Sequence, residues 1–123
     1  MTGSKKILIA DDDPSVLGYL KHRIELEGYE AATAETGKEA VDLAVNDAWD
    51  AMLLDLGLPD MSGFEVLESI KKVNRSLPII VVTGSHEEQE ARRAFEMGAW
   101  DYITKPIDFD YLKNTLILIC NSL

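Results

Sequence analysis

Cys120 is the only cysteine in the 123 residues, so no internal disulfide can form and a small stapled scaffold is excluded. A reducing, cytoplasmic location is the expectation. Positive charge is also scarce: 12 Lys and Arg stand against 22 Asp and Glu, for a formal net charge of −10. A surface of that sign repels phosphate backbones and anionic headgroups, which disfavours direct nucleic-acid or membrane binding, and it attracts divalent cations and basic or mixed-charge proteins. Long apolar runs are missing. The first one, Ile7–Ala10, stops at Asp11, far short of a signal-peptide core or a membrane span. Two histidines are available, His22 within the first helical segment and His86 near the start of the fourth, and both are expected on the surface. With Cys120 in the last helical segment, a Ser-His-Asp or Cys-His site has little support. No Gly-x-Gly-x-x-Gly or phosphate-loop motif occurs either.

What is present suffices for one folded domain. A length of 123 residues fits a single unit spanning 1–123, in which residues 1–5 form a flexible or cloning-derived tail. A hydrophobic content of 46% with 28% charged residues provides a core. Short, β-branched apolar runs recur at Lys6–Ala10, Tyr29–Thr33, Ala51–Leu54, Ile79–Val82 and Trp100–Ile103, and these read as five strands. Segments with helical spacing alternate with them. They are marked by Val16, Leu17, Leu20 and Ile24; by Ala40, Val41 and Ala44; by Val66, Leu67, Ile70 and Val73; by Ala91, Ala94 and Phe95; and by Leu112, Leu116 and Ile119. Asp13 before Pro14 is a helix cap followed by proline at the first helical position, and Gly28, Gly98 and Pro78 stand where helices stop or strands begin. Strict alternation with short loops, and strands apolar on both faces, predict a doubly wound α/β fold around a parallel sheet.

Such sheets place their ligand site at the carboxyl ends of the strands. There the sequence sets Asp11-Asp12-Asp13 after the first strand, Asp55 after the third, Thr83-Gly84-Ser85 after the fourth and Thr104-Lys105-Pro106 after the fifth. Asp13 has a structural role as a cap. Asp11, Asp12 and Asp55, brought into one crevice, would need a counter-charge, and a hard divalent cation such as Mg²⁺, held by carboxylates and a backbone carbonyl, supplies it. Lys105 adds a fixed positive charge and Thr83 a hydroxyl. Each residue alone reads equally well as an ordinary acidic turn or strand end; together they suit a phosphoryl group formed on one of the carboxylates.

The stretches Ile7–Pro14, Asp55–Gly63, Pro78–Gly84 and Gly98–Pro106 closely resemble, over the whole chain, the receiver domain of two-component response regulators, including the single-domain chemotaxis type. The resemblance implies a flavodoxin-like sheet of order 2-1-3-4-5 and a signalling protein rather than a conventional enzyme, one that catalyses its own phosphorylation and dephosphorylation. By the same resemblance Asp55 accepts the phosphoryl group from a sensor histidine kinase, a phosphotransfer protein or a small donor. Mg²⁺ is held by Asp12, Asp55 and the Gly57 carbonyl, with Asp11 acting mainly through a metal-bound water. Lys105 pairs with Asp55 at rest and later with a phosphoryl oxygen, and Thr83 donates its hydroxyl to another. The Lys105–Pro106 bond is cis. The movement of Thr83, followed by the ring of Tyr102, alters the surface of the fourth helix, fifth strand and fifth helix toward a downstream protein or fused output domain.

Gly57 and Ser85, two residues beyond Asp55 and Thr83, leave the phosphoryl lifetime open, while the small Gly84 leaves room for a phosphoryl group. Trp49 and Trp100 are expected as packing residues. The last helix is compatible with a phosphorylation-promoted homodimer. Two alternatives compete with the main reading. A phosphate-independent interaction module on the same fold is disfavoured by the complete Asp, Thr and Lys set. A Mg²⁺-dependent phosphatase with an Asp nucleophile ordinarily has a second Asp two positions on, where Gly57 stands.

Overall fold

Period-two alternation of apolar side chains decides which way each strand faces. The computed structural model describes residues 3–121 and builds from them β1 (Lys6–Ala10), α1 (Pro14–Leu26), β2 (Glu30–Ala34), α2 (Gly37–Asn46), β3 (Ala51–Asp55), α3 (Gly63–Val73), β4 (Ile79–Thr83), α4 (Glu88–Glu96), β5 (Asp101–Thr104) and α5 (Phe109–Cys120). The strands form one parallel sheet of order β2-β1-β3-β4-β5. The winding direction therefore reverses at β1, next to β3.

Two cores flank the sheet. Ile7, Ile9, Ala51, Leu53, Ile80 and Val82 face α1 and α5, where Leu17, Leu20, Ile24, Leu112 and Leu116 meet them. Leu8, Ala10, Met52, Leu54, Ile79 and Val81 face α2, α3 and α4, against Ala40, Val66, Leu67, Ile70 and Ala94. Each fully buried Leu or Ile contributes about 1.5–3 kcal/mol of transfer free energy, so a charge placed mid-strand would be costly and the polar residues are left to the strand ends. That confinement positions the site.

The helix ends match the sequence signals. Asp13 caps α1 by accepting from Ser15 N at 2.9 Å, with Pro14 at the first helical position. Gly28 and Gly98 follow the C-caps of α1 and α4 at φ of 96° and 99°, conformations that favour glycine. α4 is the least anchored helix: Ala94 is its one buried residue, and its N-cap, Glu87, makes no side-chain cap. The guanidinium of Arg93 lies 4.1 Å from the centre of the Phe64 ring and helps tie α4 to α3.

Several expectations shift. Tyr29 and Trp100 precede their strands, while Asp55, Thr83 and Thr104 are the last residues of theirs. Val73 and Phe95, apolar at helical spacing, are 67% and 47% exposed. Trp49 packs against the core and donates its ring N–H to the Leu43 carbonyl, but Trp100 is 45% exposed and is not a core residue. Of the expected tail, Gly3, Ser4 and Lys5 are exposed, and the Lys5 carbonyl accepts from Glu30 N at 2.8 Å, which ties it to the sheet. Met1 and Thr2 lie outside the described residues. Among the described residues no helix is long and apolar enough to cross a membrane.

Candidate functional site

Strand register brings the predicted residues to one edge. Ala10 is level with Leu54, so Asp11 and Asp55 follow at the same height on neighbouring strands. Asp55 is level with Val82, one step below Thr83, and Thr83 is level with Thr104, after which comes Lys105. Carboxylate oxygens of Asp11, Asp12 and Asp55 lie within 4.8 Å of one another. Asp11 and Asp55 are buried, at 3% and 7% exposure, while Asp12 faces solvent and leaves the cluster open on one side.

Local hydrogen bonds fix this arrangement. Asp11 receives the amide of Asp13 on Oδ1 at 2.9 Å and the ammonium of Lys105 on Oδ2 at 2.9 Å. Lys105 reaches Asp55 Oδ2 at 3.6 Å. The resemblance implies Asp55 as the resting partner of Lys105, yet the shorter contact is to Asp11, so one ammonium is shared between two buried carboxylates and lies nearer the one on β1's end. The amide of Lys105 donates to the Thr83 carbonyl at 2.7 Å, which holds the β5–α5 connection over β4. The Lys105–Pro106 peptide bond is cis.

The electrostatics follow from burial and sharing. Burial pushes the Asp55 carboxyl above the usual carboxylate range, the Asp11 charge pushes it further, and Lys105 and the Gly57 N–H oppose this in part. For Lys105, burial alone would lower the ammonium; the hydrogen bond to Asp11 and the charges of Asp55 and Asp11 outweigh it and hold the group above its ordinary value. Three carboxylates and a single nearby ammonium leave the edge short of positive charge. An all-oxygen donor set with an open side matches the preference of a hard divalent cation that retains several waters.

Thr83 is buried, and its Oγ1 accepts from Ser85 N at 3.2 Å, which leaves its own proton for another acceptor. Tyr102, half-buried, shares the α4 side of the sheet with Val81 and donates to the Ser85 carbonyl at 3.4 Å. Gly57 is exposed, and a Cβ built there would lie 3.9 Å from Asp55 Oδ2. A Cβ at Gly84 would meet nothing within 4 Å, so the space beside it is open. His22 and His86 are exposed, Cys120 is buried in α5, and none of the three joins the site.

Two contributors went unrecognised in the sequence. Gly63 lies so close behind the end of β3 that a Cβ would stand 2.5 Å from Leu56 Cα and 2.9 Å from the Asp55 carbonyl. Asp60 reaches from the same loop to the first amides of α2, accepting from Gly37 N at 2.7 Å and Lys38 N at 3.0 Å.

Comparison with known proteins agrees with this geometry. A family model described as the response regulator receiver domain matches residues 7–117. The alkaline phosphatase synthesis transcriptional regulatory protein PhoP of Bacillus subtilis is 37% identical over 103 residues, covering 84% of this chain and 43% of that protein. The transcriptional regulatory protein KdpE of Mycobacterium tuberculosis is 38% identical over 104 residues, covering 85% and 46%. The chain thus spans less than half the length of these regulators. Among solved structures, the CheY-like receiver domain protein of Methanospirillum hungatei aligns with a TM-score of 0.87 at 34% identity over 95% of this chain and 97% of its own. The response regulator TrrA of Thermotoga maritima, solved in complex with Mg(2+)-BeF, aligns with a TM-score of 0.85 at 33% identity over 94% and 98%.

Proposed function

This chain belongs to the response regulator receiver domain family, whose members are phosphorylated on an aspartate, and on that premise we propose that Asp55 is the residue phosphorylated here. The observation that carries the assignment is the convergence of Asp11, Asp12 and Asp55 within 4.8 Å beside a single shared ammonium. A carboxylate oxygen of Asp55 attacks the phosphorus of a phosphohistidine or small acyl phosphate in line, and the bond to the leaving nitrogen or oxygen breaks. Lys105, already within 3.6 Å, holds one equatorial oxygen, and the Thr83 hydroxyl donates to another. Asp11, Asp12, Asp55 and the Gly57 carbonyl suit Mg²⁺ as resident cation. When bound it would neutralise charge on the transferring group.

The donor is a sensor histidine kinase or phosphotransfer protein. A cleft of about 350 Å³ lined by Val16, Tyr19, Leu20, Lys105, Pro106 and Ile107 shares Lys105 with the site and offers such a partner an apolar seat. Output runs through α4, β5 and α5 to a downstream protein or a fused output domain. Thr83 and Tyr102 point to the α4 side, and α4 is weakly anchored, which supports this route. The setting is the cytoplasm.

Intact-mass analysis after incubation with acetyl phosphate and Mg²⁺ tests the reading. A labile adduct of one phosphoryl group is expected, absent in Asp55→Asn and absent with a chelator. No adduct from acetyl phosphate or phosphoramidate would favour a phosphate-independent interaction module instead.

A further inference from the structure

The segment from Leu56 to Ser62 sets Gly57 beside Asp55, whose carboxyl takes the Gly57 amide, and it ends on Ser62, the cap of α3. The Gly63 amide donates to the Leu56 carbonyl at 3.0 Å across the loop, and Gly57, Pro59, Asp60 and Ser62 are exposed. Leu58 buries its side chain at one end. Between these points, Asp60 is attached outside the loop.

An α-helix begins with amides that have no partner within the helix. In α2 the ladder starts with the Ala40 amide on the Thr36 carbonyl at 3.0 Å, and of the helical amides before it Glu39 is taken by Thr36 Oγ1 at 3.1 Å. The two remaining, Gly37 and Lys38, are both taken by Asp60, a residue 23 and 22 positions away on the acceptor loop. Met61 adds an apolar seam beside them. It packs so closely on Gly37 that a Cβ there would collide with its side chain and stand 3.0 Å from Val66 Cγ2.

We propose that Asp60 is a positioning residue for the acceptor site: its carboxylate, clamped on the first two amides of α2, fixes the 56–62 loop and thereby the backbone of Gly57 against Asp55. The inference rests on the function proposed above. A carboxylate with two N–H donors in a fixed fork has one orientation, and the loop that carries it loses its freedom to swing. Those same donors hold the Asp60 carboxyl below the usual carboxylate range, so it is ionised at neutral pH. Asp60 touches none of the reacting groups. Its action on the site passes through three residues of backbone.

The test pairs a calorimetric titration of the unphosphorylated chain with Mg²⁺ and hydrogen exchange at the Gly57 and Leu58 amides. Asp60→Ala should weaken Mg²⁺ binding about tenfold, the scale seen when groups that orient metal ligands are removed, and should speed exchange at both amides. Asp60→Asn keeps one acceptor oxygen and should fall between it and the wild type. Gly37→Ala, which displaces Met61 and leaves Asp60 intact, should move both readouts in the same direction. Faster exchange confined to the α2 amides in Asp60→Ala, with Mg²⁺ affinity and Gly57 unchanged, would reduce Asp60 to a helix cap and overturn the proposal. If the wild type itself neither binds Mg²⁺ nor accepts a phosphoryl group, the functional reading fails instead, and the exchange data still decide whether Asp60 holds the loop.

Discussion

Removing the charge of Lys105 while keeping its stem, as in Lys105→Met, isolates what the shared ammonium does. At 2.9 Å from Asp11 and 3.6 Å from Asp55 the Coulomb attractions are about 6 and about 5 kcal/mol at an effective dielectric of about 20. Dehydration of the three groups cancels much of this. The Lys105 side chain is 29% exposed, so water also screens part of it. Breaking a buried pair by deleting one partner costs about 3–5 kcal/mol, and after a discount for that exposure Lys105→Met should lose about 2–4 kcal/mol at pH 7. Urea unfolding with a chelator measures the loss. Millimolar Mg²⁺ should return most of it, because a bound cation supplies the missing charge and no longer competes with an ammonium. The pH dependence has a definite sign. Asp55 has a folded pKa above its unfolded value, so its ionisation opposes folding increasingly as pH rises from the unfolded value through the folded one. Deleting Lys105 enlarges that opposition, and the deficit should be largest at neutral pH and vanish below the carboxylate range. A variant as stable as the wild type in chelator, or equal Mg²⁺ stabilisation of both proteins, would refute the idea that Lys105 neutralises the resting site.

Asp55→Asn should raise the urea midpoint at pH 7, because it removes a buried carboxylate crowded by Asp11; the gain should shrink as pH falls through the raised Asp55 pKa and be absent below the unfolded one, and a less stable variant at pH 7 would contradict burial as the dominant influence. Gly63→Ala forces a Cβ against Leu56 Cα and the Asp55 carbonyl and should cost about 1–3 kcal/mol in denaturant unfolding, with slower phosphoryl uptake from acetyl phosphate; unchanged stability would show that the acceptor strand yields freely.

Apolar periodicity carried the architecture, since each strand and helix buries a face whose spacing is written locally. The one-residue errors at the carboxyl ends of β3, β4 and β5 have a common cause. Asp55, Thr83 and Thr104 are polar and read as loop, but ladder pairing with neighbouring strands runs through them and keeps them in the sheet. Trp100 reads as core by its chemistry, while it precedes β5 and is 45% exposed. The acidic cluster was legible because strand ends in a parallel sheet share one edge. Which carboxylate lies nearer Lys105 was not, as the answer depends on sub-ångström differences between two adjacent oxygens. Asp60 gave no sequence signal beyond a turn residue after Pro59, because its partners lie on another helix and are backbone amides, which every residue other than proline possesses.

The two cores have a consequence for traffic through the molecule. By strand parity Asp55 lies on the α1 and α5 side, with the cleft suited to a donor, whereas Thr83 and Tyr102 belong to the α4 side. The sheet between them is a partition that only the edge holding the acidic cluster spans. Under the proposed function a donor seated at α1 and a target seated at α4 approach from different quarters and meet only along α5, the one helix common to both surfaces.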